Sequence, residues 1–279
     1  MTYLSRVRIN PLRAESRKLL ASPRAMHGAV LGGIPGGPDG GRALWRLDAD
    51  DPRRPWLLVL TPERPDWSHI VEAAGWPGAD GDHAVVRPYA PLLERLAAGQ
   101  EYAFRLTANP VQSTVAPLKP TTAQKLRIEA RGEGERMRGF RLAHRTAATQ
   151  LDWFLRRTGA WGFEVPVSRT DAPAPGFLAA DTGPALPPEG PERDPAPEGP
   201  ERDPAREVRI TARHRHSFRK SDSGVQVTFH SATFEGRLRV TDPAGLAARL
   251  LGGIGPSKAY GCGLLTLAPV APVEPSGRG

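Results

Sequence analysis

Tyr3-Leu4-Ser5-Arg6-Val7-Arg8-Ile9-Asn10-Pro11 is echoed further along the chain by Tyr102-Ala103-Phe104-Arg105-Leu106-Thr107-Ala108-Asn109-Pro110. In register, the tyrosine, the arginine, one aliphatic residue (Val7, Leu106), the asparagine and the proline coincide. Each stretch alternates as a strand does, with Val7 and Ile9 on one face and Arg6 and Arg8 on the other, and Asn-Pro then stops it.

The same order of elements trails each echo. After the first, residues 11–31 carry helical signals, and residues 43–47 and 56–60 read as strands across the turn-rich Asp50-Asp51-Pro52. Residues 66–74 form an amphipathic pattern closed by Gly75, and residues 83–88 give a last strand. After the second echo, an irregular stretch leads to a helix over residues 142–158, where Ala147, Leu151, Phe154 and Leu155 fall at helical spacing and Gly159 is the stop. Strands come next at 163–167, 207–217 and 225–240. Asp242-Pro243 then supplies an N-cap and a first-position proline, Gly252 ends that helix, and residues 262–267 are the final strand. Both halves read β-α-β-β-α-β. The expected class is therefore α+β, two tandem ferredoxin-like domains at residues 1–95 and 100–279.

Residues 168–206 belong to neither unit. Pro-Glu-Gly-Pro-Glu-Arg-Asp-Pro-Ala occurs at 188–196 and again at 197–205. With prolines so dense and little apolar to bury, this segment is expected to be an extended or disordered insertion. Slippage duplication of a tolerated loop accounts for the repeat better than a docking role does.

Composition narrows the function. Of 38 basic residues only five are Lys, against 30 acidic ones, so the net charge of +8 is an arginine charge. Guanidinium pairs bidentately with phosphate, which allows a polyanionic partner, although Arg-rich codon usage gives the same count. The single Cys262 rules out an intrachain disulfide and a cysteine zinc cage, as expected of a cytoplasmic protein. No apolar run approaches the roughly 18 residues of a membrane span, and the N-terminus passes straight into a polar-alternating strand rather than a secretory signal.

The densest local signal is Gly252-Gly253-Ile254-Gly255-Pro256-Ser257-Lys258-Ala259-Tyr260-Gly261-Cys262-Gly263. It lacks the Gly-Lys-Ser/Thr order of a Walker loop and the third glycine of a dinucleotide loop. It also leaves a helix and enters a strand, the reverse of a nucleotide phosphate loop. Two readings remain: a loop whose glycines let backbone amides and Lys258 approach a phosphodiester chain, or a tight turn with an incidental lysine.

That loop, with Gly263-Leu264-Leu265 at its end and Phe234-Glu235-Gly236-x-Leu238-x-Val240-x-Asp242-Pro243 before it, resembles the CasE endoribonucleases of type I-E CRISPR systems, within the repeat-associated RAMP superfamily. The resemblance extends to residues 3–11, to Phe104-Arg105-Leu106 ending in Asn109-Pro110, and to residues 159–166, and it omits 168–206. It implies paired ferredoxin-like domains that cut CRISPR precursor RNA beside a repeat hairpin and stay bound to the product within the Cascade complex. It implies no cofactor and no metal.

Metal-independent RNA cleavage needs a base for the 2′-hydroxyl, an acid for the 5′-oxygen and positive charge for the phosphorane. His27 is the first candidate. Ser22-Pro23 starts a helix that puts it in the second turn, with Arg24 on the same face, and the resemblance also places a catalytic histidine here. Some members of the family carry a tyrosine where this chain has Arg24. An arginine stabilises phosphorane charge but does not carry protons at working pH, so His27 stays open as acid or base. The resemblance further implies a catalytic-site lysine in the second domain, which Lys220 matches, with Arg219 its rival. They end the run Arg213-His214-Arg215-His216-Ser217-Phe218-Arg219-Lys220, where alternation sets Arg213 and Arg215 opposite His214 and His216. No carboxylate or cysteine stands at a spacing that would make those histidines metal ligands.

Candidates for holding the RNA are Arg136, Arg138 and Arg141 in the basic stretch 125–145, Arg6 and Arg8 on the polar face of the first strand, and Arg215, Arg219 and Lys258. Solvated surface charge is the competing explanation for each. The six tryptophans mostly fall in predicted strands and helices and are expected in the core. The leading expectation is an endoribonuclease leaving a 5′-hydroxyl and a 2′,3′-cyclic phosphate or 3′-phosphate. Its rival is a noncatalytic RNA-binding subunit of the same fold.

Overall fold

The structure, a computed structural model, describes residues 1–37, 41–79, 81–130, 139–168, 205–219, 224 and 226–270. The first unit comprises β1 (Tyr3–Arg8), α1 (Ala14–Ala21), α2 (Pro23–Gly32), β2 (Leu44–Asp48), β3 (Trp56–Thr61), α3 (Ser68–Ala74) and β4 (Ala84–Pro88). Its antiparallel sheet runs β2-β3-β1-β4, so the first strand lies between the third and the last. Val7, Leu57 and Val59 point to the helical side and are buried against Met26, Val30 and Ile70. Residues 11–31 form two helices, the second starting at Ser22-Pro23 as read from the sequence. Ser22 breaks the run by adopting extended angles, φ −133° and ψ 109°, and its hydroxyl accepts a hydrogen bond from the Ala25 amide at 3.3 Å. Pro23 follows at the first helical position, where it forfeits no intrahelical bond.

The second unit follows a short α4 (Ala90–Glu94). It contains β5 (Glu101–Ala108), β6 (Val111–Thr114), α5 (Thr122–Glu129), β7 (Phe140–Ala143), α6 (Ala147–Leu155), β8 (Phe163–Glu164), β9 (Val208–Arg219), β10 (Gln226–Val240), α7 (Pro243–Gly252) and β11 (Leu265–Pro269). Its main sheet runs β11-β5-β10-β8: last, first, third, second, as in the first unit. The echoed stretches are thus the equivalent inner strands β1 and β5, and the fold is a tandem of ferredoxin-like units. β9 is an addition, pairing with β10 from Gln226↔Arg219 to Gly236↔Val208 along the edge that β8 only begins.

The strand read over 163–167 holds only at Phe163–Glu164, and two other element bounds need correction. The helix read over 142–158 begins only at Ala147, because residues 140–143 are drawn into β7 by pairing with β6, Val111 opposite Ala143. Thr146 caps it, accepting from the Thr149 amide at 3.2 Å, and Gln150, Trp153 and Phe154 form its buried face while Ala147 is exposed. The last strand starts at Leu265 rather than 262, since Gly261 and Gly263 hold left-handed angles that no strand continues. The nonapeptide repeats lie outside the described residues.

The two units share one core. Leu44, Leu60, Tyr89 and Leu96 of the first pack in the same cluster as Phe104, Phe154, Phe163, Phe234 and Leu246 of the second. Arg46 crosses the same boundary with its side chain only 2% exposed. Its Nε and Nη2 donate to the Asp48 carboxylate at 2.6 and 2.9 Å. Nη1 donates to the carbonyls of Arg105 at 2.8 Å and Leu264 at 3.0 Å, and Nη2 to Thr266 Oγ1 at 2.9 Å. Each guanidinium donor is used, which is the condition for tolerating a buried charge, and the residue ties β2 to β5 and β11.

Candidate active site and nucleic-acid interface

His27 lies in the second turn of α2, half-buried, with Nδ1 buried and without a hydrogen-bond partner among the described residues. Burial disfavours the charged ring and lowers its pKa. Arg24 is exposed one turn earlier on the same side of the helix. The 3-10 turn Lys258–Tyr260 packs against α2.

Between the α1–α2 corner and the β9–β10 hairpin lies a cleft of about 340 Å³, lined on one side by Ala21, Pro23 and Met26 and on the other by His214, His216 and Ser231. Pro23 and Met26 of α2 line the cleft, while His27 itself, on the same helix, is not among its lining residues. His216 Nε2 is hydrogen-bonded to Ser231 Oγ at 2.9 Å, and its ring stacks on Phe229 with centroids 4.6 Å apart. Burial, then His214 and His230, lower its pKa. Tyr260 closes the end of the cleft, edge-on to Phe218 at 4.8 Å and stacked with Phe229 at 6.0 Å. The alternation read from the sequence holds here, with His214 and His216 facing the cleft and Arg213 and Arg215 turned the other way.

That other face is basic. Arg215 pairs across the strands with His230, whose pKa is lowered by burial and by Arg145, Arg215 and Arg213. Arg213 is fixed by Gln150 Oε1 at 2.9 Å and by the carbonyl of Arg145. The hairpin thus presents Arg213, Arg215 and His230 on one face and His214 and His216 on the other.

Other candidates are scattered. Arg6 stacks its guanidinium over Trp56 at 4.5 Å and, with Arg8, Arg53, Arg54 and Trp76, lines a groove. Arg6 and Arg8 alternate with the helix-facing Val7, so this groove is on the sheet face away from His27. Arg141 is exposed on β7 and Arg219 ends β9. Lys258 is half-buried, with Nζ donating to the Gly252 carbonyl at 2.6 Å; it satisfies the C-terminal end of α7. Burial, then Arg42 and Arg249, lower its pKa. Lys220, Arg136 and Arg138 lie outside the described residues.

The glycine loop turns out to be a joint between the units. Gly261, at φ +79°, would bring a Cβ to 2.8 Å from the Trp45 ring, and Gly253, at φ +73°, would bring one to 2.7 Å from Leu44 Cδ2. Trp45 Nε1 donates to the Ala259 carbonyl at 3.3 Å, and Asn109 Nδ2 to Ser257 Oγ at 2.8 Å. These contacts explain the glycines without a bound phosphate. Four tryptophans, 45, 67, 153 and 161, are buried as expected, while Trp56 and Trp76 are partly exposed in the arginine groove. Arg46 carries no signal in the sequence, since a lone arginine in an apolar strand reads as an outward residue. Its neighbour Arg105, ion-paired to Asp48 at 3.4 Å and to Asp50 and Glu235, was legible only as the counterpart of Arg6. Among the described residues no helix is long and apolar enough to cross a membrane.

A family model described as CRISPR associated protein matches residues 2–269. The CRISPR-associated endoribonuclease Cse3 of Thermus thermophilus is 30% identical over 270 residues, covering 96% of this chain and 100% of that protein. The structure of Thermus thermophilus Cse3 bound to an RNA representing a pre-cleavage complex is similar at TM-score 0.63 and 27% identity, over 96% of this chain and 99% of that one. A chain of a CRISPR RNA-guided surveillance complex, pre-nicking, shares the fold at TM-score 0.54 and 17% identity, over 96% of this chain and 100% of that one. With the match running through both sheets, the cleft and the glycine joint, the chain belongs to the CRISPR associated protein family.

Proposed function

We propose that the protein is a metal-independent endoribonuclease that cuts CRISPR precursor RNA at the repeat hairpin and keeps the mature guide RNA as a cytoplasmic subunit of Cascade. The observation that carries this reading is the half-buried His27 on a capped helix whose Pro23 and Met26 line a cleft faced by His214 and His216. The full-length likeness to a curated endoribonuclease supports it. His27 carries one of the two proton transfers, Arg24 and Lys220 compensate the phosphorane charge, and cleavage leaves a 5′-hydroxyl and a 2′,3′-cyclic phosphate or 3′-phosphate. Arg215, Arg219 and Arg141, with Arg136 and Arg138, hold the stem largely through its phosphates, as double-stranded RNA is mostly recognised. Arg6 and Arg8 contact RNA on the far face, and Lys258 does so on leaving the Gly252 carbonyl. The domain bounds proposed are 1–95 and 100–279, with 168–206 as an insertion.

One feature favours a noncatalytic RNA-binding subunit instead: Arg24 stands one turn before His27, and a guanidinium is not a proton carrier. Incubating a radiolabelled repeat hairpin with protein and EDTA separates the two readings. Cleavage is expected from the unaltered protein, and none from His27→Ala, with hairpin binding retained. Full activity of His27→Ala would sink the assignment.

A further inference from the structure

Transesterification needs two proton transfers, and Arg24 supplies neither. The cleft beside α2 offers candidates for the missing group. Arg46 and Arg105 are locked in ion pairs with Asp48, and Asp50 pairs with Arg105. Cys262 is fully buried, its thiol pushed up to about 12. Two histidines line the wall opposite Pro23 and Met26. Of these, His216 has Nε2 engaged by Ser231 and its ring held against Phe229. His214 is exposed, makes no hydrogen bond among the described residues, and stands opposite Ser231 on the cleft side of β9. Its ring can take up a substrate oxygen without breaking an existing hydrogen bond.

We propose that His214 is a second catalytic residue, the proton donor to the 5′-oxygen leaving group, acting from the cleft wall that faces the helix of His27. This rests on the endoribonuclease reading above and completes it. The 2′-oxygen bonds to phosphorus as its proton passes to His27, the P–O5′ bond breaks, and the 5′-oxygen takes its proton from the His214 imidazolium. The step ends with a cyclic phosphate, a 5′-hydroxyl, a protonated His27 and a neutral His214, and exchange with water restores both rings. The lowered pKa of His27 suits the base role.

The test uses two repeat hairpins, one natural and one with sulfur in place of the bridging 5′-oxygen at the cut, because a thiolate departs without needing a proton. Cleavage in EDTA is measured for the unaltered protein, His214→Ala and His214→Gln, with hairpin binding measured alongside. Both variants are expected to bind the hairpin, to cut the natural RNA about 10²- to 10⁴-fold more slowly, and to cut the sulfur RNA within about tenfold of the unaltered protein. Natural-RNA rates within about threefold of the unaltered protein, an equal defect on both RNAs, or loss of hairpin binding in both variants would overturn the proposal. No cleavage of either RNA by the unaltered protein would instead refute the endoribonuclease reading, and this assignment with it.

Discussion

Replacing Arg46 by Met keeps much of the side chain's volume and removes all its donors. The substitution strands the Asp48 carboxylate, which is 17% exposed, and leaves the carbonyls of Arg105 and Leu264 without the guanidinium that bridged them. Breaking a buried ion pair by removing one partner costs about 3–5 kcal/mol. The lower end applies here, because Arg105 Nη1 lies 3.4 Å from Asp48 and keeps part of its charge compensated. At a urea slope of about 3 kcal/mol/M, a loss of about 3 kcal/mol moves the unfolding midpoint down by about 1 M. Equilibrium urea denaturation followed by tryptophan fluorescence and far-ultraviolet circular dichroism reads this shift. Adding Asp48→Asn removes the stranded charge, so the double variant should recover part of the loss, with a coupling of about 1–3 kcal/mol in the cycle. A cost under about 1 kcal/mol for Arg46→Met, or additive single effects, would refute the claim that this residue joins the two units.

Gly261→Ala forces a Cβ onto the Trp45 ring at a φ of +79°, so the joint has to open. A loss of about 1–3 kcal/mol is expected in thermal melts, whereas Gly252→Ala, where nothing lies within 4 Å, should be nearly silent. Stability also carries a histidine signature. The folded pKa of His27 and of His216 lies below the usual 6.5, so between that value and the depressed one the unfolded chain binds more protons and stability falls as the pH falls. Urea midpoints measured from pH 7.5 to pH 5 should decline, and His27→Gln should flatten part of that decline. An unchanged slope in that variant would contradict the burial of His27.

The tandem architecture was legible because strand alternation and the Asn-Pro stop are local properties, and both echoes carry them. Ser22-Pro23 and Asp242-Pro243 were legible for the same reason, since a cap acts within its own turn. The helix read over 142–158 ran too far because its first residues are claimed by β6, a partner that no periodicity within the helix reveals. Gly253 and Gly261 were seen as a pattern, and their cause, the Leu44 and Trp45 side chains of the other unit, was not. His27 stood out as a histidine behind a helix start. The cleft beside its helix appears only when β9 and β10 face α1 and α2.

By itself the sequence determined what depends on neighbours along the chain: two β-α-β-β-α-β units, their caps and stops, and the two faces of the histidine and arginine hairpin. The tertiary structure alone decided what depends on distant partners. It buried Arg46 between the sheets, made Lys258 the cap of α7, and set His214 across a cleft from the helix of His27. Burial and charge pairing act through space, and residues such as Leu44 and Gly253, or Arg46 and Leu264, meet only because two separately encoded units pack their sheets together.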